Sequence, residues 1–333
     1  WTTTHRTARV WPRRSQSVRP RKGGPEARGR LDLGQGRPTS SVAVKSVFKG
    51  RTTMTTSYRK IAVFADATPE GLRLFGRAAL LARRLGAELI AVYGGERSPL
   101  TPDETFTRGM KAITEVVRRH DAADRAHAAE EMEPLRMAAE ALGQPVEFQV
   151  VWSGGEDEAL RFLDCDLMVA AHPSPPHLPP SWTAERLLSL NGGPMLLLPS
   201  VWPGDDHGRH VVIAWNGSRQ ARRAVTEALP LLSRASRVTI LVVDGDRYAL
   251  EAGHVPGQDL AEYLARFDIQ PVLHSVASGE AGIADTITRE AVGLGADMAV
   301  IGCYSRSRTL ETIFGGVTRT LLRDTTMPLF LSF

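Results

Sequence analysis

Cysteine is all but missing from this chain: Cys165 and Cys303 are the only two among 333 residues. That excludes a disulfide framework, and neither thiol has the second thiol or paired histidines that a zinc site requires. Both read as small buried residues of a reduced compartment. Long apolar runs are missing too. None reaches the ~18–20 residues of a membrane span, and the N-terminal stretch lacks the apolar segment of a secretory signal. A soluble, cytoplasmic protein is expected. Aromatics are scarce, at 6%, and no basic stripe is interleaved with them, which argues against a nucleic-acid partner.

Charge agrees once it is located along the chain. The whole is +4, but residues 1–57 hold thirteen Lys and Arg against Glu26 and Asp32, a net +11, so the remainder stands at −7. A polyanion would be drawn only to the leader, because the body carries the sign of phosphate. Residues 1–57 are rich in Arg, Pro, Gly, Ser and Thr and lack apolar periodicity, so a disordered basic leader outside the fold is expected. Its composition also fits an organelle transit peptide. The favoured account is translation from Met54, with 1–53 as upstream sequence.

What the chain does have is an internal repeat. Residues 60–95 and 210–245 align without a gap at an offset of 150, each reading strand, turn, helix, strand. The strand runs 61–65 and 211–215 are nearly all apolar, as in a parallel sheet covered on both faces. Helices are predicted over 69–85, with Thr68 as cap and Pro69 at the first position, and over 219–233, with Ser218 as cap. The halves match again at 166–171 with 297–302, and at 194–198 with 328–332. Third strands fall at 146–152 and 271–277. The fold class is therefore α/β: two tandem Rossmann-like domains, each a five-stranded parallel sheet with helices on both faces, over 58–200 and 210–333 with a linker at 201–209. The first half adds a long helical stretch at 103–142, where the second has a shorter helix near 258–267. That insertion is the best candidate for a partner surface.

Ligands of an open parallel sheet collect at the carboxyl ends of its strands. In the second half this edge carries Ile301-Gly302-Cys303-Tyr304-Ser305 and, opening the last helix, Phe314-Gly315-Gly316-Val317-Thr318. Paired glycines let backbone N–H groups approach an anion. The helix start near Val317 presents its positive dipole end, Thr318 adds a hydroxyl, and Arg306, Arg308 and Arg319 add counter-charge.

With the repeat and the strand pattern, this run resembles the G-x2-G-x9-G-[ST] loop of the universal stress protein family, in its tandem two-domain form, over about 58–333. The resemblance implies a fold like the adenine nucleotide alpha hydrolases and a stress-response binding protein. It implies ATP or another adenine nucleotide, with Mg, held in the second domain by the loop, by the residue ending strand one and by a residue of strand two. By position these are Ala214, Trp215, Asn216, Val242, Ile301, Gly302, Ser305, Gly315, Gly316, Val317 and Thr318. Three depart from the pattern: Ser305 replaces the second glycine, Gly316 the hydroxyl residue and Asn216 the acid. In the first half Asp66 keeps the acid, but Ala171 replaces the first glycine and the loop after it is Pro-rich. Prolines donate no N–H to phosphate, so this site reads as disabled and the half as a structural partner.

Simpler readings answer the remaining motifs. His172 and His177 have no third ligand and read as surface histidines; Glu156, Asp157 and Glu158 read as a helix start; Ser218 reads as a cap. Trp215 and Phe314 fit equally as a base-stacking pair or as cleft wall. No catalytic residue and no metal site is expected, since the chain has neither a P-loop lysine nor H-x-G-H. A ligand-free interaction scaffold and an adenylate-handling enzyme stand as alternatives. Tandem fusion satisfies domain pairing internally, as a monomer, or the chain pairs as a homodimer.

Overall fold

The computed structural model describes residues 42–43, 57–106, 108–202, 204, 207–245, 255–303, 316–323 and 326–332. The first half runs β2 (Lys60–Phe64), α1 (Pro69–Leu85), β3 (Glu88–Gly95), α2 (Pro102–Thr105), α3 (Met110–Glu131), α4 (Glu133–Leu142), β4 (Val146–Trp152), α5 (Glu156–Arg161), β5 (Leu167–His172), α6 (Ala184–Asn191) and β6 (Met195–Pro199). The second runs β7 (His210–Ala214), α7 (Arg219–Leu232), β8 (Arg237–Val243), α8 (Gln258–Ala265), β9 (Val272–Val276), α9 (Gly282–Gly293), β10 (Met298–Gly302), α10 (Gly316–Arg323) and β11 (Leu329–Ser332). With β1 (Val42–Ala43) they form one eleven-stranded sheet, ordered β1-β9-β8-β7-β10-β11-β6-β5-β2-β3-β4.

Each half repeats one strand order, third-second-first-fourth-fifth, and all pairs within a half are parallel. The halves join at the centre, where β11 lies antiparallel to β6 with Phe330 opposite Leu196. The α/β fold class expected from the apolar strand runs is thus observed. The runs are apolar throughout because successive residues enter different core layers. Ile61 and Val63 pack under α1 and α4, while Ala62 and Phe64 pack under α5 and α6. The first of these layers is continuous across the seam, since it takes residues from α1, β6, α7 and β11 alike. Tyr58 crosses it as well, its hydroxyl donating to the Glu227 carbonyl at 2.6 Å. Burial and the nearby Glu227 and Asp166 carboxylates hold that hydroxyl well above the usual phenol range.

Both expected helix starts are built as read: the Thr68 hydroxyl accepts from Gly71 N–H and the Ser218 hydroxyl from Ala221 N–H, each at 3.1 Å. One expected element is subdivided, and one expectation differs from what is observed. The helical stretch expected over 103–142 is divided into three helices. Gly109, at φ 94°, parts α2 from α3, and Pro134, in the first turn of α4, lacks the N–H that would continue α3 past Met132. Within the basic leader, Val42 and Ala43 are not free chain but pair antiparallel with Leu273 and Val272. Without β1, β9 would be the edge strand of the second half, with unpaired N–H and C=O groups turned outward. Among the described residues no helix is long and apolar enough to cross a membrane.

Candidate functional site

The carboxyl edge of the second half is set by a close approach between β10 and α7. A side-chain carbon added at Gly302 would stand 2.3 Å from the Ala221 nitrogen and 2.4 Å from the Gln220 carbonyl carbon. Both neighbours are backbone of the first turn of a capped helix and have no room to yield, so only glycine fits. Ala171, the matching residue of β5, carries its methyl group at 8% exposure. The fourth strand of the first half also packs in one layer with its first helix, but leaves room there for a methyl group.

Around Gly302 the expected residues fall into two groups. Asn216 is exposed, and its Oδ1 accepts from Ser218 N–H at 3.1 Å. Gly316 opens α10 with open space about its Cα, and beside it Val317 is 36% exposed. These backbone and amide groups face solvent. The side chains of Trp215, Val242, Ile301 and Thr318 do not, being 6%, 0%, 4% and 4% exposed. Trp215 is part of the core, with the Arg222 guanidinium 5.9 Å from its ring centre. Val242 is covered by the segment at Gly257, where an added carbon would lie 3.2 Å from its methyl. Ala214 is half-buried and pairs with Ile301. Ser305, Gly315, Phe314, Arg306 and Arg308 lie outside the described residues.

Burial pushes Cys165 up to about 12 and Cys303 further still. Among the described residues no three His, Cys, Asp or Glu side chains gather to hold a metal ion.

Sequence reasoning overlooked an S-G-G-x-D pattern, Ser153-Gly154-Gly155-Glu156-Asp157, of the kind adenylate enzymes carry. Its groups are engaged internally. The Ser153 hydroxyl accepts from Arg97 N–H at 3.0 Å, the Glu156 carboxylate accepts from Gly154 N–H at 2.9 Å, and Asp157 pairs with Arg186. Glu156, Asp157 and Glu158 occupy the first turn of α5, the helix start expected of them.

Also missed were the contacts closing the first half's edge. There Asp66 is wholly buried and is met by the backbone of His177. The prolines of the loop lack donors, but His177 inside it has an N–H to give, and that is the signal.

Strand order and pairing together define a doubly wound α/β protein. Comparison with known proteins narrows the class, for residues 57–174 match the universal stress protein family. Two solved structures share the fold. A universal stress protein from Archaeoglobus fulgidus is 14% identical, with a TM-score of 0.59 over 82% of this chain and 97% of its own. A functionally unknown protein from Pseudomonas aeruginosa PAO1 is 20% identical, with a TM-score of 0.51 over 83% of this chain and 92% of its own. No curated protein matches the sequence.

Proposed function

We propose that the protein is a universal stress protein that binds ATP or another adenine nucleotide at the carboxyl edge of its second half, and that it senses the nucleotide without turning it over. The observation that carries this reading is Gly302, where β10 approaches α7 too closely for any side chain and leaves backbone groups bordering the edge. Asn216 beside it offers an amide to hydroxyls. The start of α10 offers N–H groups and a positive dipole end to phosphate, and Ser305 and Gly315 complete the motif. These residues fit a nucleotide. With Asn216 in place of an acid, they leave Mg to be held by the phosphates rather than by a carboxylate. Trp215, Val242, Ile301 and Thr318 shape the site from beneath, through backbone rather than side chain. No catalytic residue belongs to this reading, and a cytoplasmic protein, free of nucleic acid and membrane, is part of it.

Calorimetric titration of the chain with ATP and Mg tests it. Micromolar binding that disappears in Gly315→Asp supports the reading; no heat with either protein sinks it, and robust pyrophosphate release would make the protein an enzyme instead. One observation favours a second reading, a scaffold for another protein. Phe106, Met110, Ile113 and Val117 stand 79%, 80%, 45% and 50% exposed on the insertion that the second half lacks.

A further inference from the structure

Unlike the Ala-rich turns that follow, the outer half of α3 is helical against its local signals. Its cap, Gly109, offers no side chain to the first N–H groups, no acid stands in the first turn, and Lys111 meets the positive end of the helix dipole there. Ile113, Thr114, Val116 and Val117 are β-branched and lower the helix propensity further. Burial gives no help, since Asp124 is the first buried residue of the helix. A few helical turns in that state are marginal in water and are sustained by packing.

The same turns carry the means of packing. Met110, Ile113 and Val117 are exposed at the alternating spacing of three and four that aligns them on one face, and Phe106 is exposed just ahead of them. So narrow a seam is covered by one facing helix, whereas a lipid surface takes a broad apolar face. Charge indicates which helix. Gly109, Thr114 and Val116, beside the seam, are uncharged. Farther out, Arg118 donates to Glu115 at 2.6 and 3.0 Å, and Arg119 pairs with Glu104. Asp103, Arg108 and Lys111 bring both signs to the exposed rim. Such a surface calls for no partner of opposite charge and does not repel a copy of itself.

We propose that the stripe is covered by the same stripe of a second chain, with α3 antiparallel to α3 about a two-fold axis near Ile113. Met110 then lies against the partner's Val117, and Ile113 against the partner's Ile113. The tandem repeat supplies no such mate within the chain, because the insertion belongs to the first half alone. The contact uses neither the pairing of β6 with β11 nor a carboxyl edge, so it stands apart from the nucleotide reading. Few side chains take part, which places it at the weak end of specific interfaces.

Sedimentation equilibrium of the full chain tests this in about 0.5 M NaCl, which screens attraction between the basic leader of one chain and the acidic body of another. A dimer with a dissociation constant on the order of 100 µM or tighter is expected, and Ile113→Glu is expected to raise that constant at least about tenfold. Circular dichroism and melting curves establish that the variant is folded. A second measurement places the contact. Under mild oxidation Ile113→Cys is expected to link chain to chain above the wild-type background, while Val292→Cys, 58% exposed on α9, is not. A chain that stays monomeric at every concentration, a dimer indifferent to Ile113→Glu, or equal linking of the two cysteine variants overturns the proposal. In the first case the stripe is left to a different protein or, if the monomer floats with phosphatidylglycerol vesicles, to a lipid surface.

Discussion

Two residues at matching positions of the repeat behave differently, and the difference can be measured. Adding a methyl group at Gly302 forces it into the Ala221 and Gln220 backbone, whereas Ala171 already carries one. Gly302→Ala is expected to destabilise the protein by about 1–3 kcal/mol, the usual cost of overpacking. The reverse change, Ala171→Gly, is expected to cost only about 0.5–1 kcal/mol, through strand entropy. Urea unfolding of the two variants compares them directly, and equal losses would mean that the second half can relax around a side chain. The glycine motif announced Gly302 in the sequence, but not that its purpose is room for a neighbouring helix. Asp66 was legible as an acid ending a strand. Its burial was not, because the covering residue lies 111 positions away and gives a backbone donor that no residue type advertises.

At the scale of elements, helices were legible where caps and periodicity agreed, as at Thr68 and Ser218, and less so where they competed. The insertion reads as a long helical stretch because Ala and charged residues suit a helix throughout. Gly109 and Pro134 act through backbone geometry and divide it. Its first two helices are held together by Glu104. The Thr101 backbone N–H, the His120 ring and the Thr101 hydroxyl hold the Glu104 carboxyl down at about 2. A depressed carboxylate stabilises the folded state above its ordinary pKa, and that contribution is lost as pH falls through the folded value. The melting temperature of Glu104→Gln is therefore expected to lie below that of the wild type at pH 6, and the gap to close between about pH 4.5 and 2. A gap that persists at the lowest pH would show that Glu104 acts by packing instead. The outer turns of α3 contribute little to stability. Met110→Ala, at 80% exposure, is expected to change it by under about 0.5 kcal/mol, against about 2–5 kcal/mol for Leu135→Ala at 0%. Chemical denaturation of both variants checks this contrast.

For the whole molecule the decisive feature is the seam between β6 and β11. The repeat told that there are two halves, but no local pattern told that their fifth strands pair antiparallel and merge two sheets into one. Apolar runs reveal burial and leave the neighbour unnamed. The seam's consequence is cooperative. Phe330, fully buried, faces Leu196 across it, and the core layer beneath holds residues of α1 and α7 together. The halves share that layer, so both should melt in a single transition. Phe330→Ala is expected to cost about 3–5 kcal/mol and to lower that transition without splitting it. Calorimetric and van't Hoff enthalpies should agree in both proteins. Two resolved transitions in the wild type would mean that the seam is a contact between independent domains. A fragment ending at residue 200 carries the argument further, since it leaves the β6 edge and Leu196 uncovered. Such an edge pairs with whatever strand is offered. The fragment is expected to run as a dimer in sedimentation, with β6 against β6, while the full chain, its edge already taken by β11, does not use that contact; a monomeric, folded fragment would show that the seam is dispensable.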